Sequence, residues 1–437
     1  MKFQVKCLGC GKTYSEDSYV TKCENGCNAL LRTDYHKKNL EVDNKYPGIW
    51  KYINWLPIKK IDPSILQNSS DFSIQIGGAF ANYLGLKNLI ICYNIYNPNA
   101  NQTMRTGTFK DIEAEMSFQR LLDSKDTGKI LVVSSDGNIA TAFNYYSKII
   151  NYPVLLFITE EARLNRVWSF WEKNNHVKVI SLGKGYDYSD AISSSGLIGK
   201  FEDFLLEGGT RNVARRDGIG TIMLDVSHKL GKMPDHYFQA LGSGPGAIAM
   251  YEASLRLKED GNYGKKLPKI HGSQNLPFAP MYEAWQKKSN CIDEKYKINS
   301  AKQMIKKVYA HVLTNRFPHY NIKGGVFDAL NKTNGEFYGI SNMQAKEAKK
   351  LFKKLEDISI APPAAVAVAS LICAVKERRV DKQDAIVLNI TGGQRDLIDK
   401  TIYRIDPFIK IDKKYDLDKI IPEVNKWKRQ LKLKKNI

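Results

Sequence analysis

Apolar residues recur with helical spacing after Lys110. In GTFKDIEAEMSFQRLL (Gly107–Leu122), Ala114, Phe118, Leu121 and Leu122 fall at i, i+4, i+7 and i+8, which predicts a half-buried helix opening at Lys110. Thr106 and Thr108 are placed to cap it, and Asp111, Glu113 and Glu115 suit the positive end of its dipole. Further on the period changes repeatedly. KILVVS, PVLLFIT and VKVISLG read as strands; IATAFNYYSKII, with Ile139, Phe143, Tyr146 and Ile150 on one face, and ARLNRVWSFWEKN read as the helices between them. Such alternation predicts parallel βαβ units. Residues Phe72–Asn94 read as a helix followed by a buried strand (LIICYNIY), after a connection from Asp43 to Pro63. HYFQALGSGPGAIAMYEASLRL passes from a strand through glycines into a helix that puts Ile248, Tyr251 and Leu255 on one face. Near the end, AIVLNITGGQRD gives a strand that breaks at Thr391, Gly392 and Gly393. Ser341 and Gln344 make a capping box ahead of AKEAKKLFKKLE. The apolar run APPAAVAVASLICAV (Ala361–Val375) opens with two prolines and reads as a buried core helix, too short for a bilayer.

Composition narrows this picture. A chain of 437 residues with 43% apolar content has room for two or three domains with a sizeable core. The start, MKFQVKCLGC, lacks the apolar centre of a secretion signal, so a reducing cytoplasm is the expected location. The net charge of +20 has two readings. Nucleic-acid binders concentrate basic residues on one face, whereas here they are spread, becoming dense only in the tail NKWKRQLKLKKNI, which reads as a solvated helix. The preferred reading is a positive field around a site for small anions. Neither nucleic acid nor membrane is an expected partner.

Seven cysteines are present, four of them near the start. Cys7 and Cys10 form a Cys-x-x-Cys knuckle, and Cys23 and Cys27 a Cys-x-x-x-Cys pair. Two such loops can enclose one tetrahedral zinc, and four thiolates would leave no open position, making the metal structural. The alternative is a ribbon whose cysteines stay reduced and metal-free. Cys92, Cys291 and Cys373 stand alone and read as ordinary thiols.

The candidate chemistry gathers at the predicted strand ends. Lys110 sits in the first turn of its helix, where unpaired backbone N–H groups and partial burial favour the free amine that Schiff-base chemistry needs. The polar loop before it, NPNANQTMRTGT, contains Arg105. Ser134-Ser135-Asp136-Gly137-Asn138 links a strand to a helix, the place where parallel sheets bind ligands. Gly242, Ser243, Gly244 and Gly246 open another helix and suit a phosphate, without the spacing of a dinucleotide fingerprint. A lysine of this kind with three strand-end loops suits pyridoxal phosphate.

The motifs also resemble a known group. TGTFKD resembles the Ser-Phe-Lys-Asp box of the threonine synthase and tryptophan synthase β group of pyridoxal phosphate enzymes (fold type II), and Ser135-Asp136-Gly137-Asn138 matches its Ser-x-Gly-Asn loop. GGTRNVARRDGIGTIMLDVSHKLGKMPDHYFQALGSGPGAIA, QNLPFAPMYEAW and NITGG are similar to the cysteate synthase branch of that group. With the cysteine ribbon and FYGIS, the resemblance spans nearly the whole chain. It implies a tryptophan synthase β-like α/β fold of two α/β domains behind a small N-terminal ribbon. The expected division is a zinc-ribbon-like segment over 1–42, a large cofactor-binding domain over 43–122 and 201–437, and a smaller domain over 123–200.

The resemblance further implies that Lys110 is the Schiff-base lysine and that Asn138 partners the cofactor's ring hydroxyl. Gly242, Ser243, Gly244, Gly246 and Ala247 surround its phosphate, and Thr391 stands beside the pyridine nitrogen. The implied reaction is β-replacement, in which O-phosphoserine and sulfite give cysteate and phosphate, a step of coenzyme M synthesis in the family. Arg105, Ser135, Arg211, Arg215 and Arg216 are the candidates for the anionic substrates, since guanidinium forks suit phosphate and sulfonate oxygens. Homo-oligomers are expected. Asp136, Ile139 and Pro245 depart from the group's pattern and leave other nucleophiles open. Threonine synthase chemistry on O-phosphohomoserine is the runner-up, and a nucleic-acid-binding relic the non-enzyme alternative.

Overall fold

The computed structural model describes residues 1–99, 103–398, 402–412 and 417–435. Ala100–Gln102 of the Arg105 loop and the last two residues of the basic tail lie outside the described residues. In chain order the first strands are β1 (Phe3–Cys7), β2 (Thr13–Tyr14), β3 (Leu31–Tyr35), β4 (Ser73–Ile76), β5 (Asn88–Tyr93), β6 (Ile130–Ser135) and β7 (Val154–Thr159). They continue with β8 (Val177–Leu182), β9 (Phe204–Leu206), β10 (His236–Ala240), β11 (Lys269–Asn275), β12 (Glu336–Ile340), β13 (Ala385–Ile390) and β14 (Ile409–Ile411). Two units divide the chain: Met1–Lys125 with Gly208–Ile398, and Asp126–Glu207 with Asp399–Ile437.

The first unit begins with the antiparallel ribbon β2-β1-β3 and is built on a six-stranded sheet of order β12-β11-β10-β13-β5-β4. Its five strands from β12 to β5 run parallel, and β4 pairs antiparallel to β5 at the edge. Strands buried on both faces need apolar runs, which LIICY of β5 and AIVL of β13 supply. The helix Pro362–Lys376 packs on this sheet, burying Val366, Val368 and Leu371 among Ile91, Phe238 and Leu388. The capping box of Ser341 and Gln344 forms as expected. The sequence reading missed β4, whose residues are only partly buried or exposed and carry no apolar alternation.

The second unit holds a parallel five-stranded sheet of order β14-β8-β7-β6-β9. Three expectations change here. Residues 399–437, assigned to the large domain from sequence, belong to this unit, because β14 pairs with β8 and Ile420, Val424 and Trp427 enter its core. For the same reason the tail helix Leu417–Lys435 is not merely solvated: those residues sit at i, i+4 and i+7 and form one buried face. The helix expected over ARLNRVWSFWEKN stops at Asn165. Arg166 turns away to pair with Asp136 and Glu161, and Trp168, Phe170 and Trp171 pack around one another and Tyr145.

Candidate active site

Three adjacent parallel strands, β10, β13 and β5, deliver the glycine loop, Thr391 and the Lys110 segment at the same sheet edge, because parallel neighbours end on one side. Backbone bonds lock two of these together. Phe109 N–H donates to Thr391 O (3.2 Å), Gly393 N–H to Gly107 O (3.0 Å), and Thr108 bridges Gly392. Lys110 and Thr391, separated by most of the chain, thus share one backbone junction.

Lys110 is the first residue of the helix Lys110–Leu122. Its Nζ lies 2.5 Å from Glu113 Oε1 and 4.1 Å from the centre of the Phe109 ring. Glu113 is fully buried and also pairs with Arg215 (2.8 Å), so one carboxylate joins the lysine to the next helix, Val213–Leu230. Neither threonine caps the Lys110 helix; Thr106 instead gives its N–H (2.7 Å) and hydroxyl (2.5 Å) to Asp111. Burial pushes Asp111 up to about 7. The helix is buried all round rather than on one face. Its polar residues are the reason: Glu115 accepts from Ser70 N–H (3.0 Å), Gln119 from Asp62 N–H (2.7 Å), and Arg120 donates to Ser18 O (2.6 Å) and to Glu16 O.

The glycine loop leads into the helix Pro245–Asp260, whose first-turn N–H groups at Gly246 and Ala247 have no partner within the helix. Gly244 has φ +93°, and a Cβ there would come within 2.2 Å of Val326. A Cβ on Gly246 would meet the Gln239 amide at 2.1 Å. Asn315 donates to Ser243 Oγ (2.7 Å) and shapes the loop from outside. Beneath it, one buried polar network crosses the three strands. Asn94 donates to Asn389 (2.6 Å), Asn389 to Tyr237 (2.6 Å) and Gln239 (3.1 Å), and Tyr237 to Gln239 (2.6 Å).

The Ser135–Asn138 loop lies in the second unit, between β6 and the helix Asn138–Ile149. Ser135 Oγ accepts from Gly137 N–H (3.0 Å) and Ala140 N–H (2.9 Å), so its oxygen shapes the turn rather than standing free for a substrate. Asp136 pairs with Arg166 (2.7 Å), and burial pushes its carboxyl up to about 7.

The sequence matches the pyridoxal-phosphate dependent enzyme family (PALP) over residues 99–392. It is 44% identical over 411 residues to the cysteate synthase of Methanosarcina barkeri, covering 93% of this chain and 95% of that protein. The chain belongs to the cysteate synthase family of pyridoxal-phosphate-dependent enzymes. The cysteate synthase of Methanococcoides burtonii is 38% identical over 431 residues, 97% of each chain. Among solved structures, maize serine racemase superposes with a TM-score of 0.53 at 12% identity, over 81% of this chain and 92% of its own. Processed threonine deaminase isoform 2 from Solanum lycopersicum gives 0.53 at 13%, over 83% and 95%. These two likenesses show the shared fold, that of fold type II pyridoxal phosphate enzymes.

The residues of this cysteate synthase family member fit the cofactor. Thr391 is buried just past the end of β13, which places its hydroxyl at the strand end. The glycine loop is a concave cradle that side chains would fill. Lys110 presents its amine at the first position of the helix Lys110–Leu122. The arginines divide. Arg216, one of the candidates for the anionic substrates, is fully buried and bonded to Glu252 (2.9 Å), Thr210 O (2.5 Å) and Leu31 O. Arg215 is 3% exposed and held by Glu113, which makes it a support for the lysine helix. Arg211 gives one bond to Ala29 O (3.4 Å) and is partly buried. Arg105 stands in the turn before Lys110, its Nε buried without a hydrogen-bond partner among the described residues. Sequence reading missed Glu113 as a lysine partner, Asn315, and the Asn94–Asn389–Gln239 floor. The last had a signal: polar residues at or just past the end of otherwise apolar strands.

The four N-terminal thiols have sulfurs within 4.8 Å of one another, a cluster able to hold a metal. No helix among the described residues is long and apolar enough to cross a membrane.

Proposed function

We propose that this chain replaces the phosphate of O-phosphoserine with sulfite, yielding L-cysteate and inorganic phosphate. The observation that carries the reading is similarity to proteins named cysteate synthase along almost the full chain, with Lys110, the glycine loop and Thr391 assembled at three neighbouring strand ends. When bound, pyridoxal phosphate supplies an electron sink for the substrate's Cα–H bond. The protein's own groups do the rest. The first-turn N–H groups of Gly246 and Ala247, with the Ser243 hydroxyl, would hold the cofactor's phosphate at the positive end of their helix. Asn138 is the residue that the family resemblance assigns to its ring hydroxyl. Thr391 would offer a hydroxyl to the ring nitrogen, and a hydroxyl does not hold that nitrogen protonated as a carboxylate would, which favours elimination and replacement.

Lys110 Nζ would take the Cα proton and later return it. Between those transfers the Cβ–O bond to phosphate breaks and a Cβ–S bond to sulfite forms. Arg105, whose Nε has no partner among the described residues, is the arginine best placed for these anions, and Arg211 the second.

A donor-by-nucleophile assay with product mass tests this. Phosphate release from O-phosphoserine that requires sulfite and gives cysteate is the expected result, with O-phosphohomoserine a poor donor. Threonine formed from O-phosphohomoserine and water would overturn it, and turnover only with another nucleophile would keep the β-replacement and overturn the product. Purified protein is expected to carry a visible cofactor band that Lys110→Ala abolishes.

A further inference from the structure

We infer that Cys7, Cys10, Cys23 and Cys27 bind one zinc ion through four thiolates, and that this ion orders the loop that clamps the Lys110 helix, so that metal occupancy governs how firmly the cofactor lysine is held. The metal half stands on the ribbon alone; the consequence for the cofactor rests on the role proposed for Lys110.

The geometry of the ribbon points to one shared centre. Gly11 N–H closes the first knuckle on Cys7 O (3.0 Å), and Gly26 N–H closes the second on Cys23 O (3.0 Å). The knuckles face each other, with Cys10 and Cys23 sulfurs 3.6 Å apart and all four within 4.8 Å. A tetrahedral site with metal–sulfur bonds of about 2.3 Å has sulfur–sulfur edges of about 3.8 Å. Disulfides would need the sulfurs only in pairs; four converging on one point is the arrangement of a metal ligand set. Donors already surround the sulfurs: Gly9 N–H to Cys7 (3.3 Å), Tyr14 OH to Cys23 (3.6 Å) and the Asn25 amide to Cys10 (3.6 Å). Such second contacts stabilise the negative charge left when the thiols give up their protons to bind the ion. A full sulfur shell leaves no position for substrate, so the ion is structural.

The loop between the two cysteine pairs reaches the site. Residues 15–22 contain no helix or strand, so their order depends on their ends and on what they touch. Glu16 O and Ser18 O receive the two terminal nitrogens of Arg120, which is 1% exposed and stacks over Phe3 at 4.9 Å. Asp17 O accepts from Lys125 N–H just beyond the helix end (3.0 Å). Tyr19 OH accepts from Asn212 (2.9 Å), which also donates to Ser117 Oγ in the Lys110 helix (3.0 Å) and caps the helix carrying Arg215. Arg215 holds Glu113, and Glu113 holds Lys110. A buried guanidinium such as Arg120 needs both carbonyls, and only an ordered loop presents them together.

The test uses the full chain, purified under reducing conditions without added metal. Metal analysis is expected to find about one zinc per chain, and cobalt in its place to give the visible spectrum of a tetrahedral four-sulfur site. Zinc is then stripped from the folded protein and restored, with hydrogen exchange across 110–122 and cofactor affinity followed in parallel. Exchange about tenfold or more faster in the stripped protein, with weaker cofactor binding, both reversed by zinc, is the expected outcome. Arg120→Met is expected to reproduce the faster exchange at full zinc occupancy, so the clamp remains testable if Cys10→Ser does not fold. Folded, cofactor-loaded protein that holds no zinc would overturn the site, and unchanged exchange on zinc removal would overturn the clamp. Protein that holds zinc and shows zinc-dependent exchange but never binds the cofactor would uphold the metal inference and sink the role of Lys110.

Discussion

Glu113 shows how a single residue near the site can carry more than the helix dipole its position suggests. It is fully buried between Lys110 and Arg215, and removing one partner of such a group leaves the others as uncompensated buried charge. Glu113→Gln is therefore expected to cost about 3 kcal/mol or more, read as a fall in the urea midpoint. Asp111, two residues earlier, gives a pH signature. Burial raises it from 3.8 to about 7, against the opposing bonds from Thr106 and the charges of Arg395 and Arg105. Between those values the folded protein holds a proton that the unfolded chain has released. Its contribution is therefore full below about 3.8 and disappears as pH rises through about 7. Asp111→Asn is expected to flatten that part of the stability–pH curve, and a curve that keeps its slope in the variant would show that Asp111 is ionised in the folded state.

At the scale of elements, the glycine loop and the tail helix make opposite demands. The loop needs absence of side chain: at Gly244 the backbone is left-handed and Val326 fills the space beside it. Gly244→Ala is expected to lower cofactor affinity by about tenfold or more in a spectroscopic titration. The tail helix needs presence of side chain. Trp427 is 3% exposed, packs in the second unit's core and donates to Asn175 O (3.2 Å). Trp427→Ala is expected to cost about 3–5 kcal/mol, detectable as a lowered melting temperature, whereas a tail that is only solvated would lose nothing.

Over the whole molecule, the charge of +20 bears on the proposed reaction. Phosphoserine and sulfite are anions drawn by that field, and salt screens it over about 10 Å at 0.1 M. The ratio kcat/KM for phosphoserine is expected to fall as potassium chloride is added, with kcat changed less. A ratio independent of salt would remove the positive field from the account of substrate capture.

The sequence by itself determined what depends on local pattern. Apolar runs and turn residues marked the parallel strands, the capping box at Ser341, the Lys110 helix start, the glycine loop and Thr391, because each follows from neighbours a few residues away. Residue motifs identified the cofactor group, since Schiff-base lysine and phosphate cradle require particular side chains at particular spacing. Tertiary structure decided which charged groups are committed. Arg216 and Arg105 are both arginines near site motifs, but only packing places Glu252 and two carbonyls around the first and leaves the second's Nε without a partner among the described residues. It also decided that the Lys110 helix is buried all round, and that residues 399–437 join the second unit. Those outcomes depend on residues tens to hundreds of positions away, and a pattern of local spacing holds no record of which distant carbonyl, carboxylate or strand will arrive.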